Sequence, residues 1–335
     1  MTPAAIGPVR MRVDQERWPL AVPFRTAAHT MQAVDVIVVS IEKDNHVGRG
    51  EAAGVFYKNE TVASMAIQIE PLRSEIESGI TRAALQKRLP VGGARNAIDC
   101  ALWDLESRLT GVPAWRAAEL ESPRPLLTTF TCGADEPHKM AAAALAYPNA
   151  RAIKLKLTGE ACDPDRVRAV REAKPDVWLG IDGNQGLTRA GLERLLPVLI
   201  ETQVALIEQP FPAAQDAWLD DFGSPIPIAA DESAQGSSDL PSLVGRFGVV
   251  NIKLDKCGGL TEGLKMARSA KALGLQTMVG NMLGTSLAMA PAFLVGQLCA
   301  VVDLDGPFFL KTDRDNPVSY ADGCLACPDR LWGHP

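Results

Sequence analysis

The chain has 335 residues, 47% of them hydrophobic and 22% charged, with a formal net charge of −6. That length suits one barrel of roughly 200 to 250 residues plus a smaller companion domain, and the composition excludes a disordered or fibrous chain. The mild negative charge, with no basic cluster, argues against a nucleic-acid partner and points to a small molecule.

The N-terminus lacks the apolar stretch of a signal peptide, and the apolar run Ala33 to Ile41 is far too short to span a bilayer. The expectation is a cytoplasmic protein with no membrane partner. Its seven cysteines, scattered from Cys100 to Cys327, read as reduced thiols. Cys324 and Cys327 form a C-x-x-C with no second pair and read as incidental thiols. His29, His46, His138 and His334 are isolated, with no zinc spacing, so any metal must be held by oxygen.

In chain order, residues 33 to 56 predict a hairpin: an apolar run, then Lys43-Asp44-Asn45, then Val47 to Glu51. Ala97, Ile98, Ala101, Leu102, Leu105 and Leu109 recur at helical spacing, and Gly111 with Pro113 supplies a stop, which predicts a helix over 94 to 110. A proline-rich loop (Pro113, Pro123, Pro125) then marks a domain boundary near 122. Beyond it, short apolar segments alternate with helical ones, the rhythm of βα units. The predicted strands are Leu126 to Thr131, Ala152 to Leu157, Trp178 to Asp182, Ala205 to Glu208, Ile226 to Ala230, Val249 to Leu254, Gln276 to Val279 and Val301 to Leu304. Eight units in so short a span, with no G-x-G-x-x-G after any strand, argue for a barrel over an open doubly wound sheet. Gly258-Gly259 reads as a tight βα turn.

Lys156, Asp182, Glu208, Asp231 and Lys253 stand at consecutive strand ends, 22 to 26 residues apart. In a barrel those ends open on one face, so the five converge. A lone acid there reads as a solvated loop residue, but the context differs. Lys154 and Lys156 alternate with Ile153, Leu155 and Leu157, so both lysines point inward. The same period pairs Asp182 with Asn184, Asn251 with Lys253 and Asp303 with Asp305. Inward charges are costly to desolvate unless they meet a metal, a partner or a substrate. Asp182, Glu208 and Asp231 form a hard oxygen set that suits Mg2+. A divalent ion on a substrate carboxylate stabilises the enediolate formed when the neighbouring carbon loses its proton. A neighbouring ammonium and Mg2+ should lower a lysine from its usual value of about 10.4, fitting it for acid–base work.

The motifs Lys154-x-Lys156, Asp182-x-Asn184, Glu208-Gln209-Pro210, Asp231-Glu232-Ser233 and Asn251-Ile252-Lys253-Leu254-Asp255-Lys256-x-Gly258-Gly259-Leu260 resemble the enolase superfamily, muconate-lactonizing-enzyme subgroup. Residues 94 to 105 (ARNAIDCALWDL) resemble the capping domain of bacterial dipeptide epimerases. The resemblance implies an α/β fold, a modified TIM barrel of (β/α)7β form over 123–314, with an α+β N-terminal capping domain over 1–122 joined by the C-terminal segment 315–335. It implies Asp182, Glu208 and Asp231 as Mg2+ ligands, Lys156 and Lys253 as acid/base lysines on opposite faces of the substrate carbon, and Lys154 as a partner of the substrate carboxylate. Asp303-Leu304-Asp305 resembles the Asp-x-Asp with which dipeptide epimerases bind the substrate's N-terminal ammonium.

The implied activity is Mg2+-dependent epimerisation of a dipeptide at its C-terminal residue, of L-Ala-D/L-Glu type or with another side-chain preference, with peptidoglycan peptide salvage as one setting and room for a homo-oligomer. In the Ala-Glu epimerases an arginine of the loop after the first strand receives the acidic side chain. Here that loop reads Phe24-Arg25-Thr26-Ala27-Ala28-His29-Thr30-Met31, without arginine at that place. Arg25 or His29 takes the role, or the second residue is not acidic; the loop carrying Tyr57 is the other expected wall. Cycloisomerases and o-succinylbenzoate synthase-like dehydratases share the frame but not the ammonium. A Schiff-base lysine aldolase and a barrel that binds without turnover are the readings of other classes. Asp255, Lys256 and Glu232 carry no assigned role, though Glu232 is placed to partner a lysine.

Overall fold

The computed structural model describes residues 7–25 and 30–335, the side chains of Phe24 and Arg25 excepted. The chain opens with an antiparallel sheet of β1 (Arg10–Arg25), β2 (Thr30–Lys43) and β3 (His46–Ala52). The predicted hairpin is β2–β3, turning at Asp44 and Asn45, whose φ values of 48° and 65° suit a primed two-residue turn. β1 has no counterpart among the sequence expectations. Its first half, Arg10 to Arg17, is largely polar and few of its side chains are buried, so it lacks the apolar signal that marks a half-buried strand.

The unbroken apolar run of β2 has a structural cause. Ile37, Val39 and Ile41 face the helices of this domain, whereas Val34, Val36 and Val38 face the barrel, so both sides of the strand are core. Four helices cover the first side: α1 (Val62–Ile69), α2 (Arg73–Glu77), α3 (Arg82–Arg88) and α4 (Gly93–Thr110). α4 falls where the spacing predicted it and stops at Gly111, which is left-handed at φ 68°. It lies almost on the backbone of β3. A Cβ on Gly48 or Gly50 would stand 2.3 Å from Ala101 O or 2.1 Å from Ala97 O.

After α5 (Ala114–Ala117), the first predicted barrel strand turns out to be two. β4 (Leu126–Leu127) pairs antiparallel with a C-terminal strand, and only β5 (Phe130–Cys132) enters the barrel. The switch occurs at Thr128 and Thr129, whose N–H groups donate to Gly323 O and Val302 O respectively. The other barrel strands are β6 (Ala152–Lys156), β7 (Trp178–Asp182), β8 (Leu206–Glu208), β9 (Ile228–Ala230), β10 (Val249–Ile252), β11 (Gln276–Val279) and β12 (Val301–Val302). They form one parallel sheet in sequence order, and the Thr129–Val302 bond joins its first and last strands.

The connecting helices are α6 (Pro137–Leu145), α7 (Asp163–Ala173), α8 (Arg189–Glu201), the short α9 (Leu240–Leu243) and α10 (Leu254–Cys257), α11 (Leu260–Ala272) and α12 (Ser286–Gly296). Ile153, Leu155, Leu179, Ile181, Ile207, Val250 and Ile252 point outward into the helix layer. Leu206, Ala229, Val249 and Met278 fill the barrel interior below the site. Gly258 and Gly259 are the predicted tight turn, and a Cβ on them would strike Arg95 and Asp99 of α4 at 2.3 Å and 2.5 Å. Beyond the barrel, β13 (Ser319–Ala321) and β14 (Cys324–Ala326) form the small sheet with β4. The chain then returns to the N-terminal domain: Trp332 Nε1 donates to Arg49 O at 2.9 Å, and Gly333 N to Asp104 Oδ1 at 2.8 Å. Among the described residues no helix is long and apolar enough to cross a membrane.

The close approach of β3 and α4 sets a first test. Gly50→Ala should cost about 2 to 3 kcal/mol by overpacking, read as a lower urea midpoint at unchanged slope.

Candidate active site

A cavity of about 320 Å³ opens where the strands end, between the barrel mouth and the N-terminal cap. Strand register builds its floor. Lys156 is the Cα partner of Asp182, and Asp182 of Glu208, so three charged side chains share one layer of the barrel. Asp231 and Lys253 each follow directly on β9 and β10. Around the barrel the order is therefore Lys156, Asp182, Glu208, Asp231, Lys253: three carboxylates with a lysine on either flank.

The contacts are dense. Lys156 Nζ lies 2.5 Å from Asp182 Oδ2, and Lys253 Nζ lies 2.6 Å from Asp231 Oδ2. Lys154 Nζ donates to Asp303 and to Glu208 Oε2 at 3.2 Å, and stands 3.8 Å from Asp182 Oδ2. Asn251 Nδ2 donates to Glu208 Oε1 at 2.6 Å, and Asn184 N to Asp182 Oδ1 at 2.8 Å. Asp182 and Glu208 have no exposed surface. Among the described residues no three acidic, thiol or imidazole side chains already converge in metal-binding geometry; each carboxylate faces an ammonium or amide instead.

Electrostatics follows from this crowding. Burial and the Asp182 carboxylate push Glu208 up to about 7. Burial and the Asp231 charge push Glu232 to about 8, and its Oε2 has no hydrogen-bond partner. Burial opposes ionisation of Asp231 as well, but the Lys253 and Lys256 ammoniums hold it far below the usual carboxylate range. The lysines differ from the sequence expectation. Burial works against charge on Lys154 and Lys253, yet the carboxylates around them raise both above the ordinary lysine value. The expected downward push of one ammonium on another is present, from Lys154 on Lys253, and is outweighed.

Across the barrel, Asp303 and Asp305 are buried and line the cavity. Asp303 accepts from Thr129 Oγ1 and Lys154, and Asp305 Oδ2 accepts from Thr131 N at 2.7 Å. Burial resists ionisation of Asp303, but Lys154 keeps it low; burial and the Asp303 charge push Asp305 up to about 6. From the cap, Phe56 and Tyr57 enter the wall edge to face, and Tyr57 Oη accepts from Gln235 Nε2 at 3.0 Å. The Arg25 side chain and His29 lie outside the described residues.

Three contributors escaped sequence reading. Lys256, 1% exposed, donates to Asp231 Oδ1 at 2.6 Å, to Asp231 O and to Asn251 O at 3.0 Å. Gln209 Oε1 accepts from Asp231 N at 2.8 Å and Ser233 N at 3.1 Å, fixing the turn that carries Asp231. Asp255 reaches out to the cap. Lys256 lies one helical turn beyond Lys253, and that spacing was the available signal. Asn184, Gln185 and Gln209 all have positive φ, strain of a kind that collects at functional sites.

The mandelate racemase/muconate lactonizing enzyme N-terminal domain matches residues 9–116, and the enolase C-terminal domain-like family matches residues 138–333. The chain belongs to the enolase superfamily. The L-Ala-D/L-Glu epimerase of Escherichia coli (strain K12) is 39% identical over 317 residues, covering 94% of this chain and 98% of that one. A solved enolase family member from Agrobacterium tumefaciens, described as homologous to dipeptide epimerases and holding sodium and L-Ala-L-Glu, is 39% identical with a TM-score of 0.94, covering 97% of this chain and 100% of that one. The dipeptide epimerase of Methylococcus capsulatus, solved with Mg and L-Arg-D-Lys, is 30% identical with a TM-score of 0.88, covering 96% and 97%.

Within this superfamily frame Lys256 neutralises Asp231 from below. Lys256→Met should leave three buried acceptor atoms without their donor and cost about 3 to 5 kcal/mol in chemical denaturation, with the fold otherwise retained.

Proposed function

We propose that this chain is a Mg2+-dependent dipeptide epimerase that inverts the α carbon of the substrate's C-terminal residue. The observation that carries the reading is the flanking of three adjacent carboxylates by Lys156 on one side and Lys253 on the other. Two bases on opposite faces of a carbon are what inversion needs: one removes the proton and the other returns one to the far side.

Charge balance supports a divalent cation. The site buries six carboxyl groups (Asp182, Glu208, Asp231, Glu232, Asp303, Asp305) against four ammonium groups (Lys154, Lys156, Lys253, Lys256), so two carboxyl groups have no ammonium to match them, and Glu208 and Glu232 are pushed up towards the neutral form. Asn184 Oδ1, Asn251 Oδ1 and Glu232 Oε2 remain buried without partners beside them. The donors are hard oxygens, so Asp182, Glu208 and Asp231 fit Mg2+ once they turn from the lysines. Mg2+ bound there would neutralise the charge that builds on the substrate carboxylate as the α proton leaves. Lys154, between Glu208 and Asp303, adds positive charge at the same end. Asp303 and Asp305 offer the substrate ammonium an anionic seat, and this favours a dipeptide over the amine-free substrates of cycloisomerases and dehydratases. The partner is thus a small dipeptide, and the setting cytoplasmic in keeping with free thiols.

Incubation with Mg2+ and a dipeptide library in deuterated water should place deuterium at the C-terminal α carbon, and chelator should stop it; no incorporation across the library refutes the reading. Lys156→Ala and Lys253→Ala should each lower epimerisation by roughly 10²- to 10⁴-fold, while the remaining lysine still exchanges the proton of one epimer, so the two variants label opposite epimers.

The Asp305 value gives the sign of the pH response. Ammonium binding needs its carboxylate, so kcat/KM for a dipeptide should fall as pH drops through about 6. Asp305→Asn should be about 10- to 100-fold weaker and lack that inflection in a kcat/KM profile.

A further inference from the structure

The cap meets the catalytic strand at a contact that the proposed chemistry does not use. Ala53 N and Gly54 N both donate to Asp255 Oδ1, at 2.9 Å and 3.0 Å. Two successive backbone N–H groups closing on one carboxylate oxygen make an anion-holding nest, and Gly54 supplies a positive φ of 78° there. Asp255 is 5% exposed and belongs to α10, the single turn that begins directly after Lys253. That turn carries side chains in three directions: Lys253 into the cavity, Lys256 onto Asp231, and Asp255 onto the cap.

The segment held by Asp255 leads straight into Phe56 and Tyr57 of the cavity wall. Its far end is fixed separately, since Glu60 accepts from Val55 N at 2.9 Å and from Gly93 N at 3.0 Å. The cap as a whole does not depend on Asp255. Thr261 N donates to Asp99 at 2.9 Å, Arg314 Nη2 to Glu51 at 2.7 Å, and Trp332 Nε1 to Arg49 O at 2.9 Å, none of them on residues 53 to 60. Removing Asp255 therefore releases the near end of this wall while the cap stays attached.

We propose that Asp255 is a positioning residue for substrate selection, setting the Phe56–Tyr57 wall at a fixed distance from Lys253. The choice of substrates to test this rests on the dipeptide reading given above. An asparagine at 255 keeps an acceptor oxygen for both N–H groups, whereas alanine keeps none, so the pair separates the contact from the charge.

Wild type, Asp255→Asn and Asp255→Ala are compared, with Mg2+ in deuterated water, on L-Ala-Gly and L-Ala-L-Leu, which differ in whether the C-terminal residue carries a side chain. Trypsin cleavage after Lys58, an exposed residue of the same loop, is followed by mass spectrometry without substrate. Asp255→Ala should lose about tenfold or more in kcat/KM on L-Ala-L-Leu and stay within about twofold on L-Ala-Gly. Its Lys58 bond should be cut at least about fivefold faster. Asp255→Asn should stay near wild type in all three. Equal losses on both dipeptides, or unchanged cleavage at Lys58, would overturn the inference. Wild type that exchanges neither these two nor any dipeptide of the library, with the Lys58 contrast present, supports the clamp and refutes the epimerase reading instead.

Discussion

Buried charge governs this molecule. Carboxyl groups removed from water are tolerated only where positive charge or hydrogen-bond donors meet them, and here they outnumber the ammonium groups that share the barrel mouth. The imbalance is visible group by group. Asp231, gripped by two lysines, is held low, whereas Glu208, Glu232 and Asp305, less well compensated, are pushed up. A site tuned in this way favours an added cation at one end and a substrate ammonium at the other.

Holding so many charges at fixed spacing requires a stiff surround. The register that places Lys156, Asp182 and Glu208 in one layer is set by the sheet itself. Asp231 lies beyond its strand and needs Gln209 and Lys256 to hold it. The strained residues Asn184, Gln185 and Gln209 sit at these strand ends. The strain persists because several hydrogen bonds determine each turn: Gln185 N to Gln209 O, Gly183 N to Glu208 O and Gln209 N to Ala229 O link three consecutive strands.

Much of this was legible in the amino acids. A side-chain period of two exposed Lys154 and Lys156, Asn251 and Lys253, Asp303 and Asp305 as inward pairs, because a barrel strand has one polar and one apolar side and the alternation survives in short strands. The β2–β3 hairpin and α4 announced themselves through turn residues and helical spacing. Three things were hidden for physical reasons. β1 is bordered by solvent along much of its length and shows little apolar pattern. The split between β4 and β5 depends on where Thr128 and Thr129 find partners, in sheets distant in sequence. Asp255 and Lys256 act through contacts with the cap and with the end of β9; the one-turn spacing of Lys256 from Lys253 is legible, but the partners of both residues are distant in sequence.

Strand β2 is a wall shared by two rooms. Its alternate side chains complete the interior of the cap on one side and of the barrel on the other. Neither interior is finished without it, so the two halves of the chain are expected to melt together as one cooperative body. Excising the barrel would strip the cover from Cys100's and Trp103's neighbours in the larger core and lay bare an apolar flank. Loops at the cavity rim are then the part of the cap open to change over evolutionary time, because substitutions there leave both interiors intact.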